Sequence, residues 1–167
     1  MAAVTSQLFT GATVVRRPEE LLETIAVTNA AATTTVARAF ATPAWARSVT
    51  FVLDITITGT TPLFDLAFYQ GASRDNVRYG STLDSTTDIV QFPTHAAITQ
   101  LNTDGSSPTV AINIGPDLPL DSTGSATADS SYSFPGYLPP YFIYIYTYDG
   151  TTADEDYNGT LTAFWHK

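Results

Sequence analysis

The residues of this chain best equipped for chemistry are four carboxylates packed into one turn, Asp149, Asp154, Glu155 and Asp156, with the Asn158 amide beside them. Oxygen ligands at that density could hold Ca²⁺, which takes about six to eight of them. Their spacing does not match the EF-hand loop, however, and turns select Asp and Asn for backbone reasons of their own. The expectation is an exposed acidic turn that holds no metal. As glycosidase carboxylates, any two of these would be an arbitrary choice from sixteen acids. Two histidines are present: His95 follows Pro93-Thr94 in a loop, and His166 is the penultimate residue. Neither adjoins a Ser or Asp in a nucleophile motif, and two His without Cys make a poor zinc site. A Gly-x-x-x-x-Gly-Lys phosphate loop is absent, since the only lysine is Lys167. No catalytic, cofactor or metal residue is assigned, and the chain is read as a non-enzyme.

The elements around that turn carry a plainer signal. In Val49–Tyr69, the residues Val49, Phe51, Leu53, Ile55 and Ile57 alternate with Thr50, Val52, Asp54, Thr56 and Thr58. A Gly59-Thr60-Thr61-Pro62 turn follows, and Phe64, Leu66 and Phe68 resume the alternation. Tyr141–Trp165 has the same design: an aromatic strand, Asp149-Gly150-Thr151-Thr152, then a return through Thr160-Leu161-Thr162-Ala163-Phe164-Trp165. Period-two patterning bounded by Gly, Pro and Asp marks antiparallel strands, so both stretches are read as β-hairpins. Val110–Ile114 alternates likewise and ends at Gly115-Pro116, while Val36–Ala41 and Ile89–Phe92 are shorter pieces. Pro18-Glu19-Glu20-Leu21-Leu22-Glu23 has the signals of one short helix start, although Ile25–Thr28 returns to a strand pattern that Asn29 ends. Residues 115–140 contain five Pro and three Gly and are read as a long surface loop. Seven to nine short strands with such connections predict an all-β fold, an antiparallel β-sandwich or jelly roll. Residues 1–20 form an irregular N-terminal arm or edge segment, and 21–167 a single β-sandwich domain.

Size and charge bound the function. At 167 residues the chain can bury a core without staples, and with no cysteine it has neither a disulfide nor a thiolate. The N-terminus lacks the basic and apolar regions of a signal peptide, and no apolar run reaches the roughly 20 residues needed to span a bilayer. Membrane is therefore not expected as a partner. Residues 1–78 balance six Arg against six acids, whereas 79–167 hold ten acids and Lys167, which accounts for the whole net charge of −9. That sign repels phosphate backbones and excludes nucleic acid as the expected partner. It leaves two readings, simple solubility or an acidic half that faces solvent while the balanced half docks.

The strand Tyr141–Tyr148 has no polar face: Tyr141, Ile143, Ile145 and Thr147 lie on one side, and Phe142, Tyr144, Tyr146 and Tyr148 on the other. Both sides must be covered. Either a second sheet covers the tyrosine side, or the tyrosines pack against a neighbouring subunit, since Tyr is enriched at interfaces. Sugar stacking on the rings is a third possibility.

The runs Thr42-Pro43-Ala44-Trp45-Ala46-Arg47 into Val49–Thr56, and Leu138-Pro139-Pro140 into Tyr141–Tyr146, each followed by a Gly-Thr turn and a return strand, resemble small virion structural proteins of tailed bacteriophages, of the capsid decoration or cement type. The acidic insert Ala153–Tyr157 departs from that pattern. The resemblance implies a homo-oligomer, a trimer, that binds the major capsid protein on the outer surface of the assembled head and bridges capsid subunits. It implies no cofactor. Phe142, Tyr144, Tyr146 and Tyr148 are then the candidate subunit contact, and Arg16 and Arg17 of the arm the candidate capsid contact. The alternative is a carbohydrate- or receptor-binding module of a tail or baseplate that uses the tyrosines and the acidic turn.

Overall fold

The computed structural model describes residues 19–60, 62–71, 77–78, 82–83, 89–91, 97–98, 109–118, 130–150 and 154–167. Among them every regular element is a strand. In chain order these are β1 (Glu19–Val27), β2 (Thr34–Ala41), β3 (Ser48–Thr58), β4 (Phe64–Gly71), β5 (Val77–Arg78), β6 (Thr82–Leu83), β7 (Ile89–Gln91), β8 (Ala97–Ile98), β9 (Thr109–Gly115), β10 (Ser130–Pro135), β11 (Tyr141–Tyr148) and β12 (Asp156–His166). They form two main sheets packed face to face. One runs β1-β12-β3-β9-β10; the other runs β2-β11-β4-β7, with β8 also on β4. β5 and β6 pair as a separate two-stranded ribbon beside β2. The fold is the expected all-β sandwich. Among the described residues its one departure from antiparallel pairing is β10 on β9, which run parallel.

Sequence alternation places the core. Val49, Phe51, Leu53, Ile55 and Ile57 of β3 are all buried, and so are Phe64, Leu66 and Phe68 of β4. The intervening positions of β3 are half-buried or exposed, as a strand with one face inward requires. The two strands are nonetheless not a hairpin. β3 pairs with β12 and β9 in one sheet, and β4 pairs with β11 in the other. β11 and β12 are likewise split between the sheets. Each stretch read as a hairpin is an arch that climbs from one layer to the other, and the two arches run antiparallel side by side. Pro62 is buried where the chain leaves the first layer for the second. Gly59 opens the climb with φ +133°, a conformation that side chains rarely tolerate.

Three further expectations are corrected. Pro18–Glu23 does not start a helix: β1 begins at Glu19, and its pairing with β12 supplies the backbone partners a helix would have supplied internally. Glu19 and Glu20 therefore belong to the sheet, whereas residues 1–18 lie outside the described residues. The 115–140 connection is not wholly loop, since 130–135 forms β10 on the free edge of β9; parallel pairing needs a long connection of this kind. The strand count among the described residues exceeds nine because three of the twelve are only two residues long, below what patterning can register.

The sandwich has two distinct ends. The β3–β4 and β11–β12 arches and the β1–β2 connection share one, here the arch end. Glu19, the β2–β3 and β10–β11 connections and Lys167 share the other, the terminal end.

Candidate functional site

At the arch end the acidic turn is a knot between connections. The Asp149 Oδ1 atom accepts from the Thr33 hydroxyl and the Gly150 amide, both at 2.7 Å. Asp154 Oδ2 accepts from the Thr60 hydroxyl at 2.6 Å, and Asp156 Oδ1 from the Asn29 amide at 2.8 Å. That last bond caps β1, where Asn29 adopts φ 49°, a left-handed conformation Asn tolerates better than most residues. Backbone bonds tighten the same knot: Ala30 N–H to the Glu155 carbonyl at 2.9 Å, and Asp149 N–H to the Leu63 carbonyl at 3.0 Å. The turn is thus not simply exposed. Glu155 is fully buried, with its Cα and Cγ against Gly59. The Tyr157 hydroxyl accepts from the Leu63 amide at 3.2 Å, and desolvation by burial raises its pKa. Among the described residues no three acidic, His or Cys side chains converge as a metal site.

The tyrosine face of β11 turns inward. Phe142, Tyr144 and Tyr146 are buried in the chain's own core, and Tyr148 packs against its margin. Phe142 meets Phe51 edge-on at 5.2 Å, and Tyr146 stacks on Phe64 at 5.7 Å. Tyr144, Tyr146 and Tyr148 form a ladder with 6.5 Å steps. The expectation of a subunit contact is therefore corrected for Phe142, Tyr144 and Tyr146, whose rings are buried within the chain's own sandwich, while Tyr148 stays half-buried at its margin. On the outer side of the same strand Ile143 is also buried, outside the main core cluster.

A polar seam closes the edge where β1 and β2 face each other. The Tyr144 hydroxyl donates to Glu23 Oε2 at 2.9 Å, and Arg38 Nε approaches the same oxygen at 3.3 Å. Burial first, and then the Glu23 carboxylate, raise the Tyr144 pKa strongly; the same two causes, in the same order, push Tyr146 up to about 12, with Arg38 opposing. Both phenols stay neutral at physiological pH, so the seam is a structural tie and not an acid–base pair. His166 is exposed, with its Nε2 3.0 Å from the Thr50 hydroxyl. His95, Arg16 and Arg17 lie outside the described residues.

The terminal end carries the feature that motif reading missed. Ala41, Thr42, Pro43, Ala44 and Ala46 on one side, and Leu138, Pro139, Pro140 and Tyr141 on the other, line an open, mostly apolar cleft of about 480 Å³. Its walls are pinned: the Thr42 amide donates to the Pro140 carbonyl at 3.0 Å, the Ala46 amide to Pro43 at 2.9 Å, and the Arg47 amide to His166 at 2.8 Å. Beside it stands Tyr137, 86% exposed. The available signal was the pair of proline segments that enter β3 and β11; the Tyr141–Ala41 register brings them side by side.

Charge divides between the ends as well. The arch end holds Asp65, Asp149, Asp154, Glu155 and Asp156, with no Lys or Arg among the described residues there. The terminal end mixes Arg47 and Lys167 with Glu19, Glu20 and Asp117. Comparison of the chain with protein-family models, with curated proteins and with solved structures finds no match.

Proposed function

We propose that this chain is a virion structural protein of the tailed-phage decoration type: a homo-oligomer, a trimer, seated on the outer surface of an assembled head, where it bridges subunits of the major capsid protein. The observation that supports the reading best is the polarity of the sandwich. The segment 1–18 joins the domain at Glu19, at the same end as the apolar cleft and Arg47 and Lys167, while five carboxylates are tied into the opposite end. In this reading the arm, with Arg16 and Arg17, reaches across a capsid subunit boundary, and the acidic arch end faces solvent. An acidic outer surface also suits the side of a shell that does not face packaged nucleic acid.

A protein that binds only the assembled shell stabilises it by mass action. Each copy needs only a modest contact, because an oligomer engages several subunits at once. The test is shell survival on heating with and without the protein, beside a variant lacking residues 2–17. Loaded shells should outlast bare ones, and the truncated protein should remain folded yet bind weakly. If bare and loaded shells fail together, or if imaging finds the protein only at the tail, the reading is wrong. The tail or baseplate glycan-binding alternative draws no support from Phe142, Tyr144 and Tyr146, whose rings lie in the core.

A further inference from the structure

Tyr137 is an anomaly in the economy of this fold. Phe51, Phe64, Phe68, Phe142, Tyr144 and Tyr157 are buried in the core, whereas Tyr137 and Leu21 are the only large apolar side chains that stand exposed among the described residues. Leu21 sits on an edge strand among glutamates, next to a register shift, an arrangement that discourages strand pairing. Tyr137 is different. It is held out by a fixed backbone: the Gly136 amide donates to the Gly115 carbonyl at 2.9 Å, Leu138 packs against the core, and Pro139 is buried. An aromatic ring displayed on a pinned segment loses little freedom when a partner covers it, which is why Tyr so often anchors interfaces.

The next three residues after Tyr137 form one wall of the cleft. Knob and hole therefore lie side by side on one face, with alanine and proline opposite to receive a ring. We infer that this face is a self-association surface, and that its occupant is a second copy of this chain, whose Tyr137 enters the cleft between Pro43-Ala44 and Pro139-Pro140. Knob and hole on one patch give the self-complementarity of a two-fold pair, in which each copy's knob meets the other's hole. A Tyr side chain buries about 150–250 Å², whereas a stable pair needs about 800 Å² per partner. Tyr137 is thus the anchor and the cleft rim supplies the remainder. The association should be weak when the protein is alone, with a Kd in about the micromolar to millimolar range. The inference gives the homo-oligomer of the capsid reading a named contact and rests on that part of it; shells stabilised by a protein that stays monomeric would overturn this inference and leave the capsid seat standing.

The experiment is sedimentation velocity on the full chain from about 10 µM to 1 mM, for wild type, Tyr137→Ala and Ala44→Asp, with thermal melts as folding controls. Both substitutions are at exposed positions and should leave melting unchanged. Wild type should associate, and each variant should weaken association by about ten-fold or more. Mixing the two variants should restore part of it, because one copy keeps its knob and the other its hole; a general loss of structure would give no such rescue. The inference is overturned if wild type stays monomeric throughout, if Tyr137→Ala associates like wild type, or if only deletion of residues 2–17 abolishes association, which would make the arm the link.

Discussion

The rings of Phe51 and Phe68 stack with centroids 4.3 Å apart and planes 14° from parallel, although each belongs to a different sheet. They meet across the sandwich because the chain passes from one layer to the other between β3 and β4 in place of turning within one. Phe51 is also in edge contact with Phe40, Phe142 and Trp165, so four strands beyond its own converge on one ring.

Core truncation should accordingly be costly. Phe51→Ala should lose about 3–5 kcal/mol and Leu53→Ala about 2–5 kcal/mol, the range for large-to-small changes at closely packed sites. Urea unfolding would measure both. A Leu53→Ala loss near zero would mean that β3 does not face the second sheet.

The first arch depends on a glycine. A Cβ at Gly59 would lie 2.9 Å from both Cα and Cγ of Glu155 and 3.2 Å from the Asp154 carbonyl, at a φ of +133°. Gly59→Ala should therefore destabilise by about 2 kcal/mol or more, through strain and the displaced Glu155 backbone. Gly136→Ala meets nothing within 4 Å and should stay within about 0.5 kcal/mol of wild type. Equal effects at the two glycines would contradict the close approach of the arches.

Alkaline pH should loosen the β1–β2 edge. Tyr146 is pushed up to about 12, and Tyr144 is raised further in the same direction, chiefly by burial. Unfolded phenols ionise near 10, so the folded state holds their protons more tightly. Their contribution is then fully present below about pH 10 and is lost as pH rises through about 12. Denaturation midpoints should be flat with respect to these groups between about pH 7 and 9.5 and fall above 10, and Tyr146→Phe should make that fall shallower. An unchanged slope in the variant would place the alkaline transition elsewhere.

The alternation in Val49–Ile57 and Phe64–Phe68 was enough to choose the buried faces, because period two is a direct consequence of the pleat. It was not enough to choose neighbours. A hairpin and an arch impose the same alternation on both strands, and what distinguishes them is pairing with β9, β11 and β12, which lie far along the chain. Tyr144 was ambiguous for a related reason. A strand with two apolar faces says that both are covered, but whether by its own sheet or by another chain depends on partners distant in sequence, here Phe40, Phe64 and Phe68. The cleft was invisible because Ala, Pro and Leu are unremarkable singly. Only the pairing of β11 with β2 assembles them.

The acidic turn separates a structural role from a metal-binding one most sharply. Asp156 caps the left-handed Asn29, and Asp149 holds Thr33 and Gly150, so these carboxylates point at donors from different segments and not at a common centre. Asp156→Ala should remove the cap and cost about 1 kcal/mol, while Asp156→Asn, which keeps an acceptor oxygen, should recover part of it. Millimolar Ca²⁺ should leave the melting temperature of the wild-type protein where it is. A ligand bound only by the folded state at about a hundred times its Kd would add about 2.7 kcal/mol, a shift of several degrees in a domain of this size. Such a rise, absent from Asp156→Ala, would show that the carboxylates gather on a cation and that the hydrogen-bonded knot is not their working arrangement.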